Sequence, residues 1–170
     1  MAVYLYKVEG ALMHTAQNKE FFTSQQALER AMREKRILEA PALLCDAQMR
    51  LHVDLGCMRG IIPREEALWC RREEQIKDIA ILTRVGKPVC FQVMDLTSDG
   101  TAILSRRAAQ MEAKDYFLST LQSGDIIEAV VQTMNPENMK ATVIAEVEAD
   151  LMEKFTAAGY VGLAAALSVP

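Results

Sequence analysis

The sequence predicts a small, mainly β domain, with five strands rolled into one barrel and helices flanking it on both sides. Three observations lead there. Met49, Leu51, Val53 and Leu55 alternate with Arg50, His52 and Asp54, the period-two pattern of a strand with one buried face. Other short apolar runs lie on either side of it, punctuated by glycine, proline and aspartate turn signals. The two longer stretches with helical spacing fall outside this block, one before it and one after it.

Taken in order, residues 3–8 make a short candidate strand, followed by a polar connection as far as residue 22. Thr23-Ser24-Gln25-Gln26 fits a capping box, with Thr23 as the cap and Gln26 reaching back from the third helical position. Ala27, Leu28, Ala31 and Met32 then recur at helical spacing and predict a helix over 24–35. Arg30, Arg33, Lys35 and Arg36 make its second half basic, a pattern read as a solvated outer face in preference to a phosphate-contacting one. Residues 37–45 form a strand whose Pro41 suits an edge or a bulge, because proline cannot donate to the ladder.

A tight turn at Asp46-Ala47-Gln48 leads into the strand at 49–56. Gly56 and Gly60 bracket a short connection, and Ile61-Ile62 resumes as the next strand until Pro63 stops it. The resulting two-stranded ribbon hides aliphatic side chains on one face and presents Arg and His on the other, which describes a binding surface. Residues 64–78 are charged and lack clean periodicity, and 79–85 hold one or two helical turns. Gly86-Lys87-Pro88 is a turn into a strand with Val89, Phe91 and Val93 on one face and Cys90, Gln92 and Met94 on the other. Ser98-Asp99-Gly100 signals a hairpin, and 101–104 is its returning strand.

Ser105 is a good N-cap for a helix over 106–121, with Ala109, Ala113, Tyr116, Phe117 and Leu121 on one face. A hairpin of 126–134 and 140–148 and a short helix at 151–158 complete the chain before an apolar tail. Five strands, a helical insertion between the third and fourth, and a helix directly after the fifth suit a Greek-key barrel of the OB type. In that fold the second and third strands form the usual oligonucleotide face.

Composition narrows the function classes. Half of the 170 residues are hydrophobic and a quarter charged, as in a folded soluble domain. No run of about 18 apolar residues is present to span a membrane, and MAVYLYKVEG does not look like a secretion leader, so the expected location is the cytoplasm. The net charge of −4 argues against a simple polyanion binder, yet residues 30–107 carry 14 Lys and Arg against 11 Asp and Glu, while the remainder holds 5 against 12. The middle of the chain is mildly basic between acidic ends. Cys45, Cys57, Cys70 and Cys90 are 12, 13 and 20 residues apart with no C-x-x-C pair, which fits free thiols better than a zinc site. No nucleotide-binding, metalloprotease or nucleophile-elbow motif occurs, and the pairs Glu65-Glu66 and Glu73-Glu74 do not converge as an acid–base dyad. The expectation is a non-enzymatic protein without a cofactor or metal. Trp69, the single tryptophan, fits either an interface anchor or a loop-covering core contact.

Four segments carry a resemblance. His52-Val53-Asp54-Leu55-Gly56, Gly60-Ile61-Ile62-Pro63-Arg64-Glu65-Glu66, Val85-Gly86-Lys87-Pro88-Val89 and Ile103-Leu104-Ser105-Arg106-Arg107 resemble the ribosomal S-one type RNA-binding domain family, an OB-fold repeat. Order and spacing agree across 37–107. The flank at 1–36 and the helix, of which 108–121 lies beyond the barrel, look like the short S-one-like proteins of Firmicutes. The stretch at 121–131 resembles the start of a second repeat that does not continue, so 122–170 is read as a diverged extension.

The resemblance implies a module that contacts single-stranded RNA in translation or RNA metabolism. His52 would stack on a base, and Arg50, Arg59, Arg64, Lys87, Arg106 and Arg107 would meet phosphates. His52 stands where the family commonly has an aromatic, and Ile61 where it often has Phe. Binding is therefore expected to be weak, with protein contacts as the alternative: docking on the ribosome, or homo-oligomerisation through the C-terminal extension.

Overall fold

The computed structural model describes residues 5–70, 76–122, 125, 131–135 and 140–143. Its elements are α1 (Ala16–Glu20), α2 (Gln25–Arg33), β1 (Leu38–Cys45), β2 (Leu51–Asp54), β3 (Arg59–Ile62), a 3₁₀ turn (Arg64–Glu66), α3 (Asp78–Leu82), β4 (Pro88–Leu96), β5 (Thr101–Ser105), α4 (Arg106–Thr120), β6 (Val131–Asn135) and β7 (Lys140–Val143). The first five strands close in the order β1-β2-β3-β5-β4, with β4 returning to pair with β1. All pairings are antiparallel except β3 with β5. This is the five-stranded OB-type barrel with flanking helices that the patterning predicts.

The chain divides into two units, Glu9–Ala113 and a second made of Met1–Val8 with Lys114–Pro170. The first contains the barrel and its core. Leu51, Val53 and Leu55 point inward from β2 and the turn after it, Ile62 from β3, Val89, Phe91 and Val93 from β4, and Leu104 from β5. Leu28 and Ala31 of α2 join the same cluster, so the basic helix covers the barrel with its apolar side. Burial of a side chain of this size is worth about 1.5–3 kcal/mol, which makes the inward face the main determinant of register.

Pro41 and Gly86 act where the expectations placed them, whereas Gly60 lies inside β3 and not in the connection before it. Pro41 sits where β1 leaves its ladder with β4 and turns to β2, and the register shifts between Ala42 and Leu44. Gly60 has no room for a side chain: a Cβ there would lie 2.6 Å from Leu104 Cδ1. Gly86 has φ +79°, and its N–H donates to Ala42 O at 2.7 Å.

Several details differ from the sequence reading. The polar connection before residue 22 contains the helix α1, capped by Thr15. Its Asn18 is buried and pairs with the Glu39 backbone in both directions at 2.8 Å, as a neighbouring strand would. Because α1 ends just before α2, the Thr23 hydroxyl donates back to Glu20 O, and the cap of α2 is Ser24, whose Oγ accepts from Ala27 N–H at 3.1 Å. The expected cap at Thr23 is thus corrected by one residue. Met49 adopts φ +59° in the turn, so β2 begins at Leu51. Within the described part of the candidate strand at 3–8, residues 5–8 form no strand.

Ser105 caps α4 as predicted, accepting from Ala108 N–H at 2.8 Å. In the second unit Leu5 N–H donates to the Tyr116 hydroxyl at 3.1 Å, and the Tyr6 and Tyr116 rings meet edge-on at 4.9 Å. The antiparallel pair β6–β7 corresponds to the expected hairpin. Its connecting turn, the helix at 151–158 and the apolar tail lie outside the described residues. Among the described residues no helix is long and apolar enough to cross a membrane.

Candidate nucleic-acid interface

The outward face of the β2–β3 ribbon is set by pairing register. His52 lies opposite Leu44 of β1 on one side and Ile61 of β3 on the other. Ile61 in turn pairs with Ile103 of β5. Leu44, His52, Ile61 and Ile103 therefore form one lateral row across four strands. Neighbours in such a row have Cβ atoms about 4.5–5.5 Å apart, close enough to act as one surface. Leu44 is exposed, whereas His52, Ile61 and Ile103 are half-buried. The next row along holds Asp54 opposite Arg59, which pairs with Thr101.

The His52 ring is anchored. Its Nε2 lies 2.8 Å from Asp46 Oδ2, and the same oxygen accepts from Arg50 Nε at 2.8 Å. The other carboxylate oxygen accepts from Gln48 N–H at 2.9 Å and Arg50 N–H at 3.0 Å, closing the turn between β1 and β2. The hydrogen bond from His52 is the largest influence holding the Asp46 carboxyl well below the usual carboxylate range, with the Arg50 and Gln48 groups adding to it against partial burial. Asp46 is the main residue that sequence reasoning missed. Its signal was the turn position itself, four residues before Arg50.

The six basic candidates do not gather around His52. Arg50 is adjacent but neutralised by Asp46. Arg59 is exposed on β3, one row along, and has no ion pair among the described residues. It does help to keep the Asp99 carboxyl below its ordinary range, behind the hydrogen bonds from Thr97 and Thr101. Arg64 turns away to Asp78 Oδ1 at 2.9 Å and Ile76 O at 3.0 Å, fastening the start of α3. Lys87 is exposed on the turn before β4 and, among the described residues, makes no ion pair. Its carbonyl accepts from Ala42 N–H, which places it on the flank of β1 away from β2.

Arg106 requires a correction. Its side chain is 3% exposed and gripped at both ends by Glu9, from Nε and Nη2 at 2.7 Å each, while Nη1 donates to Ala67 O. A guanidinium so enclosed offers no face to a phosphate. Burial pushes the Glu9 carboxyl up, but the Arg106 contacts, the Cys90 N–H and Arg84 outweigh it and leave it below its ordinary value. Arg107 lies 4.0 Å from Glu66, and Glu66 also accepts from the Ser105 hydroxyl. Residues of the second and fourth resembling segments, Glu66 with Ser105 and Arg107, therefore tie the barrel to the start of α4.

Trp69 is half-buried, and its backbone N–H donates to Gln110 of α4 at 2.8 Å. Burial raises the thiol pKa of Cys45, Cys57 and Cys90, so thiolates are scarce at neutral pH. Among the described residues no group of three or more His, Cys, Asp or Glu is arranged to hold a metal ion.

No protein-family model and no curated protein matches the chain. Solved structures similar to parts of it include the following two. The solution structure of GSP13 from Bacillus subtilis is 23% identical over 45% of this chain and 56% of its own, with a TM-score of 0.37. The crystal structure of a multidomain protein with nucleic acid binding domains from Streptococcus pneumoniae TIGR4 is 14% identical over 79% of this chain and 48% of its own, with a TM-score of 0.30. The chain thus spans about half the length of each structure.

Proposed function

We propose that the protein is a non-enzymatic, weak and sequence-tolerant single-stranded RNA-binding module, acting in translation or RNA metabolism. The observation that carries this reading is the outward row Leu44–His52–Ile61–Ile103 on an OB-type barrel, a low platform with one ring on it and Arg59 one row along. A base lying across this row would stack on the imidazole and cover the aliphatic neighbours. One stacked base is worth about 1–3 kcal/mol, so a single ring gives modest affinity without strong sequence preference. Arg59 would meet a phosphate beside the platform, and Lys87, on the far flank of β1, one farther along the strand. Of the S-one-like segments, His52 and Ile61 lie on this outward row.

The test is titration of a short unstructured oligouridylate with wild type and His52→Ala at low and moderate salt. Binding by wild type that weakens about 5- to 160-fold in the variant supports the reading, as expected for losing one stacked base. No detectable binding at low salt removes it.

A second reading, a protein-interaction module, has its own support in Leu43 (55% exposed), Leu44 (49%) and Met94 (52%), large apolar side chains left at the surface. It expects self-association or retention on ribosomes. A monomeric mass for the full chain at all concentrations, with no ribosome retention, removes this alternative.

A further inference from the structure

We propose that Asp46 is a positioning residue for nucleic-acid binding: it holds the His52 ring in one orientation and one tautomer, ready for a base to stack. The inference rests on the reading of His52 as the stacking contact. Four donors converge on this one carboxylate, two backbone N–H groups on Oδ1 and the Arg50 Nε and His52 Nε2 on Oδ2. The two backbone contacts make Asp46 part of the turn, so its position is fixed before His52 adds to it. An ionised carboxylate only accepts, so the ring nitrogen facing it carries the hydrogen, and whenever the ring is neutral that is the Nε2–H tautomer. Among the described residues His52 has no other hydrogen-bonded partner, so this contact is what orients the ring.

A ring already held in place loses little rotamer freedom when a base arrives. Ordering a side chain on binding costs about 0.5–1.5 kcal/mol, or about two- to tenfold in affinity. Asp46 has a second, opposite effect: it cancels the charge of Arg50 beside the platform. By charge alone, removing it should tighten the grip on a polyanion and steepen the salt slope by about 0.7. Positioning and charge therefore predict changes of opposite sign.

Asp46→Asn separates them. Its carbonyl oxygen can still accept from Gln48 and Arg50 N–H, but its amide NH₂ then meets the Arg50 Nε–H and can bond the ring only if the hydrogen moves to Nδ1, so the charge-assisted contact that holds the ring is replaced at most by a weaker neutral one. The experiment is a double-mutant cycle on the full chain with Asp46→Asn, His52→Ala and both together, titrating an oligouridylate at moderate salt. The expected result is that Asp46→Asn weakens binding about two- to tenfold more in the wild-type background than in the His52→Ala background.

Imidazole ¹⁵N spectra give an independent reading on wild type itself, with His52→Ala distinguishing its signals from those of His14. At a pH alkaline enough for the ring to be neutral, wild type should show the Nε2–H tautomer and Asp46→Asn the Nδ1–H tautomer. A cycle that closes at zero while His52→Ala still weakens binding overturns this inference and leaves the RNA reading standing. An Nδ1–H tautomer in wild type also overturns it. RNA affinity unaffected by His52→Ala removes both.

Discussion

Raising the salt concentration from about 50 to about 200 mM should weaken RNA binding only about seven- to eighteenfold. The magnitude follows from which cations the fold leaves available. Each neutralised phosphate contributes about 0.7 to the slope of log affinity on log salt for a single strand. Of the six basic candidates, Arg50, Arg64, Arg106 and Arg107 each face a carboxylate, which leaves Arg59 and Lys87. Arg64 adds a third if it releases Asp78, since both partners are well exposed and such pairs are worth about 0–1 kcal/mol. Two or three contacts give a slope of about −1.4 to −2.1. All six would give about −4 and a loss of about 300-fold over the same range.

Fluorescence anisotropy of an end-labelled oligouridylate, at fixed pH and temperature across a salt series, measures the slope directly. A slope steeper than about −3 would refute the reasoning, because it requires arginines to abandon their carboxylates for phosphate. A flat series at measurable affinity would refute it from the other side, by removing the phosphate contacts altogether. Arg59→Ala should reduce the slope by about 0.7, and Arg106→Ala should leave it unchanged in the folded protein.

The remaining predictions concern the scaffold. Arg106→Ala removes the main partner of Glu9, leaving it the Cys90 N–H and Arg84 at 3.5 Å, and should cost about 3 kcal/mol in denaturant unfolding at neutral pH, the low end for a broken buried pair. Glu9 has a folded pKa below its ordinary value, so its contribution is complete above the unfolded pKa and disappears as pH falls through the folded one. Glu9→Gln should accordingly give a shallower acid limb in a plot of stability against pH. Gly60→Ala forces a methyl group against the fully buried Leu104 and should destabilise by about 1–3 kcal/mol in thermal or denaturant unfolding. Ser24→Ala should lose about 1 kcal/mol of stability, whereas Thr23→Ala stays within about 0.5, which distinguishes the real cap from its neighbour.

What could be read in the chain depended on range. Period-two alternation located the inward faces of β2 and β4, because burial of Leu51, Val53, Phe91 and their neighbours selects one register and excludes its slip by one residue. Ser105 was legible as a cap because its partner is three residues away. The helix α1 was not, since its five residues are held by Asn18 bonding to Glu39, 21 positions later. The same limit misled the reading of the arginines. Arg106 follows a turn-like serine and looked accessible, but its carboxylate is 97 positions away and only the closed barrel brings it there. Asp46 was within reach, four residues from Arg50, and was taken only as a turn former.

The S-one-like positions have a consequence for function that sequence similarity alone would hide. Gly60 is there because Leu104 packs on its Cα, and Glu66 because Ser105 and Arg107 turn to it. Gly86 makes the left-handed turn that returns a hydrogen bond to Ala42. Each of these residues closes the barrel or fastens α4, so a chain could keep all of them while binding nothing. Ligand choice must instead reside in side chains that the scaffold leaves outward: Leu44, His52, Ile61 and Ile103 across the strands, and Arg59 beside them. That set has a single ring where stacking surfaces usually have several, so under the proposed function one imidazole would be the main stacking contact and its orientation would count. A change at Asp46, which touches the ligand nowhere in this reading, should then weaken the His52-dependent part of binding even though it frees the charge of Arg50.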